Sequence, residues 1–103
     1  MAGPAGDTAA TPGAGRMMIP TIHLNGTSRE ELIKQLLNAS DALLVAIDKL
    51  GDASPHGRDY YPQGPDAFLK AHDEHIARIG RLFDVKTEID SIAEKIDQAP
   101  GRR

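Results

Sequence analysis

Cysteine is absent from the chain. No disulfide framework, thiolate zinc site or thiol nucleophile can therefore be built, and a reducing compartment is the expected setting. Long apolar runs are missing as well: nothing approaches the roughly 20 residues that cross a bilayer. The first residues lack the continuous apolar stretch of a signal peptide. Positive charge is in deficit, with 12 Lys+Arg against 15 Asp+Glu and a formal net charge of −3. Polyanions are held by concentrated positive charge, so this balance argues against a nucleic-acid polymer or a membrane surface as partner. One small anion held by a few arginines stays within reach. Together these absences describe a small, soluble, intracellular protein of one domain.

What is present is organised in segments. "MAGPAGDTAATPGAGR", residues 1–16, has almost nothing to bury and cannot offset its ordering entropy. We read residues 1–18 as a disordered tail or a start-site extension ahead of Met17 and Met18, and residues 100–103 as a second short tail. "TIHL", Thr21–Leu24, alternates polar and apolar residues, which fits either a short strand paired with another chain or an extended lead-in. The lead-in, with Ile22 and Leu24 stapling the first helix, is the simpler of the two.

"NGTSREEL" carries a capping box, Thr27 with Glu30 or Ser28 with Glu31. Leu32, Ile33, Leu36, Leu37, Leu43, Leu44, Ile47 and Leu50 then repeat at helical spacing. The expected helix spans residues 28–50 and stops at Gly51. Pro65, preceded by a glycine able to cap, opens a second helix predicted over residues 65–97. Along it, Leu82, Val85, Ile89, Ile92 and Ile96 step like a coiled-coil seam. The fold class is therefore all-α: an antiparallel helical hairpin with an extended N-terminal segment, over residues 19–99. The first helix covers only about two thirds of the second. A plain fold-back leaves the seam near Ile89 to Ile96 bare, and so small a domain is marginal alone. The expectation is a homo-oligomer, most simply a four-helix dimer.

The connection from Gly51 to Gly64 exceeds the usual 2 to 8 or so residues between helices. Of the chain's two tyrosines and two phenylalanines, three fall between Tyr60 and Phe68. "GRDYYPQGP" is expected to be ordered, with its rings laid on the helices and a tight turn at "YPQG". It either closes the end of the hairpin or binds something. For binding, Arg58 offers a planar fork of donors suited to phosphate or carboxylate, and Tyr60 or Tyr61 a stacking face and a hydroxyl. Asn25 and Thr27 add amide and hydroxyl groups at the start of the first helix. They lie at its opposite end from Arg58, so the two groups can meet only across an oligomer interface.

Other motifs are less specific. In "AHDEH", His72 and His75 are three apart, whereas the zinc-protease pattern needs four, and no metal or cofactor is implied. His72 is expected on the apolar stripe as a core histidine. His75 with Arg78 forms either an interior polar cluster or part of an anion site. Adjacent acids such as Glu30–Glu31 and Asp73–Glu74 point apart on their helices, and the N-terminal glycines follow no strand. Enzymatic activity is not expected.

The segments "TIHLNGTSREEL", "GRDYYPQGP" and "AHDEHIARI" together resemble a group of short proteins of tailed bacteriophages and prophages, over roughly Ile19 to Ile96. The resemblance implies a phage origin and action in the cytoplasm of an infected bacterium or within a virion. It carries over no catalytic residue. In architecture and origin, though not in sequence, the chain is similar to small helical "sponges" that sequester nucleotide second messengers. Two functions follow as expectations. One is a non-enzymatic, anti-defence binder of a nucleotide-like ligand through Asn25, Thr27, Arg58, Tyr60, Tyr61, His75 and Arg78. The other is a virion structural or assembly protein acting through helix–helix contacts.

Overall fold

The computed structural model describes residues 17–99. Of the expected tails, residues 1–18 and 100–103, all but Met17 and Met18 lie outside them. Helix α1 spans Arg29–Asp52 and helix α2 spans Pro65–Gln98. A 3-10 helix, Gly57–Gln63, lies between them, and among the described residues there is no strand.

Local chemistry accounts for both starts. Ser28 is extended, and its hydroxyl accepts from the Glu31 amide at 3.1 Å. The cap is therefore Ser28 and not Thr27. The Glu31 carboxylate turns forward to accept from Gln35 Nε2 at 3.0 Å. At α2, Gly64 caps with φ +100°, a conformation natural to glycine, and Pro65 takes the first helical position as expected.

The end of α1 departs from expectation. The helix runs through Gly51 to Asp52, and Gly51 does not adopt a positive φ. Ser54 supplies the stop: its hydroxyl and its amide both donate to the Gly51 carbonyl, at 2.8 and 3.2 Å. Those bonds satisfy a terminal carbonyl that glycine was expected to accommodate by turning left-handed.

Three polar links show the helices antiparallel and set their register. Arg29 Nη1 donates to the Asp97 and Ala99 carbonyls at 3.3 and 3.1 Å. Ser40 donates to Asp90. His75 Nε2 donates to the Leu50 carbonyl at 2.7 Å. This register overturns the expected bare seam. Ile96 is 0% exposed, and Ile89 and Ile92 are half-buried. The connection doubles back beside the first turns of α2, so α1 ends level with His75 instead of Pro65. The overhang is thus residues 65–74, at the other end of α2, and the 3-10 helix packs there.

Among the described residues the buried apolar side chains are Ile47, Ala93 and Ile96, with Ser40 and His75 as buried polar groups. The contact line on α2 runs through His75, Leu82, Ile89, Ala93 and Ile96. Val85, assigned to the seam from its spacing, is 43% exposed. In the lead-in, Met17, Ile19 and Ile22 are half-buried. Leu24 is 97% exposed and does not staple α1.

Ser40 is 2% exposed, so its hydroxyl needs a partner. Asp90 supplies one and also accepts from Lys86 Nζ at 2.9 Å. The Ser40 bond first, then the Lys86 bond, hold the Asp90 carboxyl below its ordinary value of 3.8. A depressed carboxyl stabilises the fold above its unfolded value, and that contribution is lost as pH falls through the folded one. Ser40→Ala should therefore lower stability in urea melts by about 1–2 kcal/mol at neutral pH. The deficit should shrink as the pH is taken below 3.8.

Candidate functional site

The connection folds back because its residues favour tight turns. The Asp59 amide donates to the His56 carbonyl at 3.1 Å, and Gly64 donates to Tyr61 at 3.3 Å. Pro62 sits inside the 3-10 helix, where its fixed φ is tolerated and its missing donor is not required. Seven residues is long for such a helix. Packing against α2 supports it.

Between this helix and the start of α2 lies an open, mainly apolar cavity of about 640 Å³. Gly57, Arg58, Tyr60, Tyr61, Gly64, Pro65 and Phe68 line it. Tyr60 is half-buried, as expected of a ring laid on the helices. Tyr61 departs from that expectation and stands out at 85% exposure. Arg58 is exposed. Among the described residues its guanidinium has no hydrogen-bond or ion-pair partner. The chemistry is that of an open aromatic cleft with an exposed cation beside it.

The remaining candidates are placed elsewhere. His75 is 5% exposed, and both ring nitrogens are engaged. Nε2–H donates to Leu50, and Nδ1 accepts from Arg78 Nη1 at 3.3 Å. Of the two readings of this pair, the geometry is that of an interior polar cluster, one that caps the C-terminus of α1. Arg78 itself is exposed. Asn25 and Thr27 are exposed at the far end of α1, about 36 Å away along the helix axis. Asn25 sits in a turn closed by Gly26 donating to His23 at 3.1 Å. There a Cβ on Gly26 would approach His23 Nε2 to 2.8 Å. Thus Arg58, Tyr60 and Tyr61 come together, and the other four do not join them within one chain.

His72 corrects a second expectation. Its side chain is 50% exposed, 3.7 Å from Asp73, and its ring lies 6.0 Å from that of Phe68. The contact line on α2 passes through His75, and His72 stands to one side, near the cavity. Phe68 is the lining residue that the polar inventory passed over. Its position one turn into α2, directly after the aromatic loop, was the available signal.

No three or more His, Asp or Glu side chains among the described residues are grouped to hold a metal ion. No helix there is long and apolar enough to cross a membrane. No protein-family model, curated protein or solved structure matches the chain.

The two histidine and arginine environments predict opposite outcomes. His75→Leu removes the bond to the Leu50 carbonyl, which still accepts from the Ala53 amide at 3.0 Å, and should cost about 0.5–1.5 kcal/mol in chemical denaturation. Arg58→Ala and Tyr61→Ala, at exposed positions, should each stay within about 0.5 kcal/mol of the wild type.

Proposed function

We propose that the chain is a phage-encoded, non-enzymatic protein that binds a small anionic, nucleotide-derived ligand as a homo-oligomer. It would sequester such a signal in the cytoplasm of the infected bacterium. The reading rests on one observation: Arg58, Tyr60 and Tyr61 line a single cavity, with Tyr61 and Arg58 exposed and, among the described residues, Arg58 without a partner. Arg58 meets the phosphate, and a tyrosine ring stacks on the base. Asn25 and Thr27 can contribute only from a second copy. His75 acts in positioning α1, and Arg78 reaches the ligand only if the assembly brings it there.

A second reading, a virion structural or assembly protein, draws on the exposed side chains of Leu69, Ile76 and Phe83, at 58, 56 and 45%. These suit helix–helix contacts. Mass spectrometry of purified particles separates the two, because a structural component is retained at constant copy number.

Calorimetric titration with cyclic dinucleotides, cyclic trinucleotides and ADP-ribose derivatives tests the first reading. We expect saturable binding of at least one class, weakened roughly tenfold or more, about 1.4 kcal/mol, by Arg58→Ala or Tyr61→Ala. Absence of binding across the panel removes the reading. Binding insensitive to both substitutions moves the site elsewhere.

A further inference from the structure

A stripe of exposed apolar side chains along the hairpin poses a separate problem. On α2, Leu69, Ile76 and Phe83 recur every seven residues and are about half exposed. On α1, Leu37 and Leu44 are also seven apart, exposed at 45 and 49%. Both sets lie on one side of the molecule. At about 100° per residue, Leu37 and Leu44 lie roughly 40–80° around α1 from the Ser40–Ile47 contact line. Ile76 and Phe83 lie roughly 90–110° around α2 from its own contact line, in the same rotational sense. Because the helices are antiparallel, equal rotation from facing lines emerges on the same side. The Ser40–Asp90 and His75–Leu50 links bracket the register and put Phe83 level with Leu44.

Gly80 lies beside this stripe, four residues after Ile76 and three before Phe83, in the middle of α2. A glycine there costs about 1 kcal/mol against alanine. Among the described residues nothing requires it: it lacks a positive φ, and a Cβ would meet no atom within 4 Å beyond its own turn of helix. What a missing Cβ does provide is room for an outside side chain or backbone to approach.

We propose that this face is covered by the same face of a second copy, with the two α2 helices crossing beside Gly80. In a two-fold antiparallel crossing, Ile76 of each copy sits over Gly80 of the other, a knob meeting a hole on both sides. Phe83, Leu44 and Leu69 flank the crossing. The occupant is a second copy for two reasons. Among the described residues, the buried apolar side chains are only Ile47, Ala93 and Ile96. So small a core needs a cover that is present whenever the chain is, and a second copy meets that condition. The five side chains also expose on the order of 400–500 Å², over half of the ~800 Å² each partner contributes to a stable interface. The proposal is independent of any ligand.

Sedimentation of the full chain at micromolar concentration tests it, with helicity followed by circular dichroism. The wild type should sediment as an even multiple of the chain mass, and Ile76→Glu as a single helical chain. Gly80→Ala decides the crossing by its sign, and does so even if Ile76→Glu does not fold. On a covered face the added methyl should weaken association roughly tenfold or more. On an open face it should raise the melting temperature and leave the mass unchanged, since alanine is the better helix former. That second outcome overturns the proposal. So does a single-chain wild type, or an Ile76→Glu variant that assembles as the wild type does.

Discussion

The bond from His75 to the Leu50 carbonyl determines where α1 stops along α2. Apolar stripes alone tolerate sliding, because a shift of one heptad places one large aliphatic side chain where another was. A buried imidazole does not tolerate it, since losing its partner strands a buried donor. Ser40 with Asp90 repeats the constraint mid-helix, and Arg29 repeats it at the far end by binding the last carbonyls of α2. With the register held at three points, residues 65–74 must project beyond α1. That projection is the platform on which the 3-10 helix and its tyrosines rest.

Each unusual surface follows from this arrangement. A hairpin with a minimal turn would bury the start of α2 against the end of α1 and leave no cleft for Arg58, Tyr60 and Tyr61. The longer connection covers the projecting turns only partly, since a 3-10 helix of seven residues is narrower than a full α-helix partner. The two-helix core has a further consequence. Each α-helix presents an apolar stripe wider than one neighbour can cover, so Leu37, Leu44, Ile76 and Phe83 emerge along one flank. The cavity and the flank are lined by different side chains.

Much of the fold was legible in the sequence. Ser28 with Glu31, and Gly64 with Pro65, announce helix starts through short-range hydrogen bonding and fixed dihedrals, which need no knowledge of distant residues. The end of α1 was misplaced because Ser54, a residue with no periodic signal, satisfies the Gly51 carbonyl. His72 and His75 could not be told apart by spacing. Both fall near the apolar stripe, and which of them turns inward depends on where the α1 terminus arrives. Of the candidate site, Arg58, Tyr60 and Tyr61 were visible as a local cluster. Their convergence with Phe68 depends on the fold-back of the connection.

Two helices, their starting points and their unequal lengths follow from local chemistry, because caps, proline and hydrophobic period act over one or two turns. Only the tertiary structure decided which end of α2 stays uncovered. That choice turns on a buried histidine meeting a carbonyl 25 residues earlier in the chain, an encounter that no local pattern encodes.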